Sequence, residues 1–202
     1  MKTRCCLLLI LMAGKSSGQI IELQNPSFEA DKPQVGTTPI GWYDCGSPLE
    51  TPTDIQPGIW GVELPAAQGR TYISLVVRDN GSSEGIGQEL SKPLVKDSIY
   101  LLSLSGARSL QFMSRTRRSI EEVSYCIPAR LKVWGGNSPC DKKQLLAESA
   151  VIVSPSWARL ELILKPLTDI THIFLEADYN RPSQFPYNGN VLIDNLSLSQ
   201  IP

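Results

Sequence analysis

Apolar residues in this chain recur at alternate positions over short runs, and clusters of Gly, Pro, Asn and Ser separate the runs. No long stretch keeps a 3.6-residue apolar period, so the pattern predicts strands and no helices. The clearest expected strands are Arg70 to Arg78, Gly85 to Leu90, Ser98 to Ala107, Arg130 to Trp134, Ser149 to Val153, Trp157 to Leu164, Thr171 to Tyr179 and Asn190 to Ser199. Tyr100, Leu102 and Leu104 fall on one face, with Ser103 and Ser105 on the other; Leu160, Leu162 and Leu164 alternate in the same way with Arg159 and Glu161. Such alternation puts one face in a core and the other toward solvent. Two stacked sheets bury that many half-apolar strands, so the expected fold is all-β, a β-sandwich of jelly-roll type. Asn25 to Val62 carries Pro26, Pro33, Pro39, Pro48, Pro52 and Pro57 and reads as a long, stiffened surface segment with little ladder. Ser109 to Pro128 is a second irregular stretch, and no internal repeat is evident.

The first residues change the picture of where the protein works. Lys2 and Arg4 precede an apolar run from Cys5 to Ala13, and small residues end at Gly18. This reads as a secretory signal peptide over residues 1–18, cut before Gln19, because the run is too short to cross a bilayer. The remainder, 19–202, fits one domain, expected outside the cell or at its surface with no transmembrane segment after cleavage. A formal net charge of -1 offers no pull toward nucleic acid or anionic membrane. The basic cluster of Arg115, Arg117 and Arg118 is answered by Glu121 and Glu122 and reads as a solvated loop. Of Cys45, Cys126 and Cys140, two can pair in an oxidising compartment, and three pairings are possible. Cys126 with Cys140 is favoured because a strand and turn fit between them, which leaves Cys45 as the free thiol.

Several motifs carry a resemblance. Asn25-Pro26-Ser27-Phe28-Glu29, Gly41-Trp42 and the terminal Val191-Leu192-Ile193-Asp194-Asn195-Leu196-Ser197-Leu198 resemble the CenC-type carbohydrate-binding modules, which are galactose-binding-like jelly rolls. The chain is also similar to uncharacterised bacterial surface modules through Trp42-Tyr43-Asp44-Cys45-Gly46 and Trp134-Gly135-Gly136-Asn137. If Leu192, Leu196 and Leu198 point inward, Asp194 points inward with them, and a buried carboxylate needs hydrogen bonds or a cation. The resemblance implies a structural Ca²⁺ held by Glu29 and Asp194; the alternative is an aspartate that caps backbone N–H groups without metal. Two carboxylates fall short of the 6–8 oxygens that calcium takes.

Sugar recognition needs a flat aromatic face and planar polar groups. Trp60, between Gly58 and Gly61 in the Pro-rich loop, is an aromatic candidate with Tyr43 and Tyr187. Arg78 and Asp79 end one strand, Glu84 begins the next and Arg108 ends another, so these four are the polar candidates, expected to converge at one rim. The competing reading is a solvated hairpin around Asn80-Gly81, and core packing for each aromatic; Trp42, Trp134 and Trp157 flank or end strands and read as core. The leading function is a non-catalytic module that binds a glycan or cell-surface polysaccharide, and the second is a surface module for a protein partner. A hydrolase is the third. It would have to use His172, the only histidine, and no Gly-x-Ser-x-Gly elbow appears, although 20 acidic residues could supply a glycosidase pair.

Overall fold

A computed structural model describes residues 18–115, 120–180 and 185–202. The expected signal peptide up to Ser17, and Arg117 and Arg118 of the basic cluster, lie outside the described residues. The strands are β1 (Ile20–Ile21), β2 (Tyr43–Asp44), β3 (Asp54–Gln56), β4 (Tyr72–Val77), β5 (Gly85–Leu94), β6 (Ile99–Ala107), β7 (Met113–Ser114), β8 (Val123–Ser124), β9 (Ile127–Pro128), β10 (Arg130–Gly136), β11 (Gln144–Glu148), β12 (Ala158–Leu164), β13 (Ile170–Asp178) and β14 (Gly189–Ile201). Strand β11 lies where no strand was expected, and Ser149 to Val153 runs as irregular chain. Ser149 and Ile152 nevertheless keep backbone bonds to Leu131 and Ala129, so their apolar alternation reflects burial at a sheet edge and not ladder pairing.

The strands form a sandwich. The first sheet has the order β12-β6-β14-β4-β3, with β1 and β9 also on β14; the second has the order β11-β10-β13-β5-β2. Between them lies the main core, which includes Ile73, Leu75, Leu102, Leu104, Leu131, Val133, Ile173, Leu175, Val191 and Ile193. The Asn25–Glu29 motif closes on itself, with the Asn25 side chain accepting from Glu29 N and donating to Glu29 O. That turn drives Phe28 into the core against Trp42, the ring centroids 5.2 Å apart.

Strand β14 is the seam of the first sheet, and its facing differs from expectation. Val191 and Ile193 point into the main core, whereas Leu192 lies on the opposite face of the sheet. An irregularity between Asp194 and Ser197, with Asn195 at φ 53°, inserts the extra residue that turns Leu196 and Leu198 back inward. Asp194 therefore does not share a face with Leu196 and Leu198.

The outer face of the first sheet is not left to solvent. Tyr72, Val76, Ala107 and Leu192 there are covered by Val62, Phe112 and Tyr125 from the two irregular stretches, with Trp60, Leu64 and Trp157 packed alongside. Each buried large apolar side chain contributes roughly 1.5–3 kcal/mol relative to exposure. Ser103, expected on a solvated face, is likewise buried.

A disulfide joins Cys45 to Cys140 across a separation of 95 residues, and Cys126 is the free cysteine among the described residues. This overturns the expected Cys126–Cys140 pair. Spacing alone favoured the short loop, but β10 and β11 are an antiparallel pair joined by the turn that carries Cys140, and that turn reaches Cys45 at the far edge strand of the same sheet. Non-reducing peptide mapping should return Cys45 and Cys140 in one linked fragment. Cys45→Ser should lower the unfolding free energy by about 3–5 kcal/mol, as expected for closing a loop of this length; Cys126→Ser should leave the denaturant midpoint in place.

Candidate functional site

With the first sheet covered on both faces, the outer face of the second sheet is the remaining broad sheet surface among the described residues. On β10, Leu131 and Val133 point inward, so Arg130, Lys132 and Trp134 point outward; on β13, Ile173, Leu175 and Ala177 point inward, so His172, Phe174, Glu176 and Asp178 point outward. The register sets Trp134 opposite both Leu145 and Phe174, Phe174 opposite Gly87, and Gly87 opposite Tyr43. An apolar row thus crosses the strands from Leu145 through Trp134 and Phe174 to Tyr43. Beside it runs a charged row, in which Lys132 stands opposite Glu148 on one side and Glu176 on the other.

Trp134 is held in place by its polar edge. Its Nε1 donates to Glu176 Oε2 at 2.8 Å, while Glu176 Oε1 accepts from Ser83 Oγ at 2.9 Å and Lys142 Nζ at 2.7 Å. Lys132 Nζ lies 2.9 Å from Asp178 Oδ2, 3.8 Å from Glu148 Oε1 and 5.8 Å from the Trp134 ring centre. The result is a fixed, half-buried indole ringed by carboxylates and ammonium groups. An aromatic ring beside planar and charged hydrogen-bonding groups is the chemistry that sugar recognition calls for.

Part of this face is covered. Residues 137–143 join β10 to β11, and the Cys140–Cys45 bond carries that turn to the β2 edge. Lys142 Nζ stands 5.2 Å from the Phe174 ring centre and 5.6 Å from that of Trp134. Phe174 is only 2% exposed although it points away from the main core. Over Gly87, a Cβ would sit 2.4 Å from Tyr43 Cε2 and 2.9 Å from Cys45 Sγ, so only glycine lets the ring and the sulfur lie so close. The Tyr43 hydroxyl is buried there without a partner, and burial, with Glu89 adding, pushes its pKa up to about 12.

Of the seven ligand candidates from sequence, Tyr43 alone lies on this face. Arg78 and Glu84 are buried and paired with each other, with Glu50 Oε2 3.9 Å from Arg78 Nε; they form an internal ion pair and no rim. Their positions next to the Asn80-Gly81 turn suggested exposure, but the loop bearing Tyr125 packs over them. Asp79 is exposed in that turn and bonds Asn188. Tyr187 packs edge-on against Tyr179 and donates to Pro128 O. Trp60 packs against the second apolar cluster, with the Arg115 guanidinium 6.0 Å from its ring centre. Arg108 bonds Val153 O and Cys126 O, and with Gly61 and Leu64 it lines a shallow depression of about 330 Å³. The seven do not converge. Sequence reading missed Trp134, Lys132, Phe174, Glu176 and Asp178; the available signal was that two aromatics occupy the polar phase of otherwise alternating strands.

Glu29 and Asp194 do come together, each gripping the backbone of the segment before β4. Asp194 Oδ2 accepts from Gln68 N at 2.8 Å and its Oδ1 from Asn195 N at 2.6 Å; both Glu29 oxygens accept from Arg70 N. Burial, with Glu29 adding repulsion against these hydrogen bonds, raises the Asp194 pKa to about 6. No described basic side chain forms an ion pair with either carboxylate. All four oxygens of the two carboxylates accept from backbone N–H groups, the capping arrangement that is the alternative to a metal. An open depression of about 390 Å³ lies beside Glu29, lined also by Lys32, Thr37 and Arg70.

No family model matches this chain, and no curated protein matches it. Solved structures do. The CBM22-1 xylan-binding domain of Paenibacillus barcinonensis Xyn10C is similar at 14% identity and TM-score 0.50, with 92% of this chain and 96% of that one covered. The CBM22-1-CBM22-2 tandem domain of the same protein matches at 14% identity and TM-score 0.51, over 92% of this chain and 46% of the tandem. The K1 cleaved adhesin domain of Lys-gingipain from Porphyromonas gingivalis W83 matches at 10% identity and TM-score 0.52, over 87% and 96%. At such identities the likeness carries the fold alone, and the fold is the expected one: an all-β jelly-roll sandwich.

Proposed function

We propose that this protein is an exported, non-catalytic carbohydrate-binding module whose ligand stacks on Trp134. The observation that carries the reading is an indole fixed by Glu176 on the broad outer face of the second sheet, beside the ion-paired cluster of Lys132, Asp178 and Glu148. The resemblance of the chain ends to CenC-type modules and the likeness in fold to a xylan-binding domain support it. Export is supported by the Cys45–Cys140 bond, which is the chemistry of an oxidising compartment. Binding needs no bond cleavage: stacking and hydroxyl hydrogen bonds suffice, and the carboxylates nearest Trp134, Glu176 and Asp178, are already engaged with Trp134 Nε1, Lys142 and Lys132.

A protein-partner module is the second reading. Leu110, Met113, Ile120, Val123 and Ile127 are all exposed within the second irregular stretch, an apolar grouping of the kind that marks protein contacts.

Calcium at Glu29 and Asp194 belongs to the proposal as a structural ion. It would neutralise the two carboxylates and so hold the segment before β4, with further oxygens drawn from backbone carbonyls and water.

Three outcomes test these readings. Affinity electrophoresis in soluble xylan and β-glucan gels should retard the folded 19–202 protein in at least one of them. Trp134→Ala should weaken that binding about 30-fold, the ~2 kcal/mol of a central aromatic contact, while Trp60→Ala leaves it unchanged. Retardation in no gel would move the assignment to the protein-partner reading. For the ion, the sign follows from Asp194: its pKa rises from 3.8 to about 6 on folding, so without metal its stabilising contribution is full below pH 3.8 and lost as pH rises through 6. Thermal melts in chelator should show a decline across that window to which Asp194 contributes up to about 2–3 kcal/mol, and Asp194→Asn should reduce the decline by that share, leaving the part due to Asp54, whose pKa burial also raises to about 6. Millimolar calcium should raise the melting temperature at pH 7 in the wild type and not in Asp194→Asn; an unchanged melt in both would retire the ion.

A further inference from the structure

The apolar row on the second sheet is long enough to hold several sugars side by side, yet only half of it is open. From the β11 edge, Leu145 is 39% exposed and Trp134 is half-buried, its ring flanked by Lys132 and Lys142 at 5.8 and 5.6 Å, so a sugar ring approaches over Leu145 and the adjoining part of the indole. Beyond Trp134 the row is closed. Lys142 lies over Phe174 and ties itself to Glu176, and the Cys45–Cys140 bond and the Tyr43 ring sit over Gly87. The closing segment is pinned at three points: its two chain ends in β10 and β11, and the disulfide to the opposite edge of the sheet.

Resting on the carbohydrate reading above, we propose that this module recognises the terminus of a glycan chain and not its interior, because the turn 137–143 walls off the groove next to Trp134. A polysaccharide laid across the strands must pass over Phe174 and Gly87 to continue; where those are covered, the chain has to end at Lys142. The lysine, whose side chain is 47% exposed, then faces the terminal sugar with ammonium donors beyond the one spent on Glu176. Two glycines let the covered part pack this closely: a Cβ at Gly85 would meet Phe174 Cε2 at 2.2 Å, and one at Gly87 would meet Tyr43 Cε2 at 2.4 Å and Cys45 Sγ at 2.9 Å.

Calorimetry with xylo-oligosaccharides from the disaccharide to the hexasaccharide, and with xylan before and after brief hydrolysis, tests this. The expected result is affinity that levels off by the trisaccharide and a capacity of xylan that rises in proportion to its chain ends. Lys142→Ala, and separately the Cys45→Ser, Cys140→Ser double variant, should release the restriction, so that affinity for the hexasaccharide gains about tenfold over the trisaccharide. The lysine variant keeps the disulfide and guards against a double variant that fails to fold. Wild-type affinity that keeps climbing to the hexasaccharide, with capacity indifferent to chain ends, would overturn chain-end recognition and leave the carbohydrate reading standing. Binding that appears only in the two variants would support the wall. Absence of binding in wild type and variants alike would overturn both.

Discussion

Tyr72, Val76 and Leu192 stand on the outer face of the first sheet, where water would meet them, and the rest of the molecule is arranged around keeping water away. A sandwich normally buries one face of each sheet and solvates the other. Here the first sheet is buried on both, and the two irregular stretches become a third layer, with Val62, Phe112 and Tyr125 as its apolar teeth. The buried Arg78–Glu84 pair follows from the same cover: it lies between sheet and loop, and removal of either partner would strand a charge out of water.

This cover leaves the outer face of the second sheet as the broader accessible sheet surface and the place of the proposed recognition. Among the described residues the second sheet carries only the turn 137–143 over part of its outer face, so Trp134 stays half-buried there while Phe174 is covered. They are not placed at random. Hydrogen-bonding partners pair across neighbouring strands so that Trp134 gains a fixed orientation from Glu176, and a preorganised aromatic loses little freedom when a sugar stacks on it. The disulfide then shapes the groove by drawing a turn from one edge of the sheet to the other. Cross-linking that stabilises the fold thereby also decides how much of the row a ligand can reach.

The carboxylates of Glu29 and Asp194 connect the chain ends to the middle. One comes from the N-terminal turn that seats Phe28, the other from the irregularity in β14, and both hold the segment leading into β4. Three remote parts of the chain therefore meet at one electrostatic point, beside the edge where Leu196 N donates to Pro26 O and closes the sandwich.

Much of the architecture was legible in the residues themselves. Alternation placed seven of the eight expected strands, since a side-chain period of two is a local property that any half-buried strand must show. The motif Asn25 to Glu29 and the terminal run around Asp194 also announced two carboxylates that the fold brings together. What alternation could not say was which face of a strand meets which neighbour. Leu192 and Leu198 have the same parity, and only the irregularity at Asn195 sends them to opposite sides. Trp134 and Trp60 departed from their expected places for the same reason: the aromatic at a strand end lies half-buried on the outer face of the second sheet, and the one in a Pro-rich loop is part of a cover. Cysteine pairing was equally beyond reach, because a bond across 95 residues depends on strand order. Local periodicity is written into the sequence one neighbour at a time, whereas faces, covers and cross-links are decided by contacts between distant segments, and those exist only once the chain has folded.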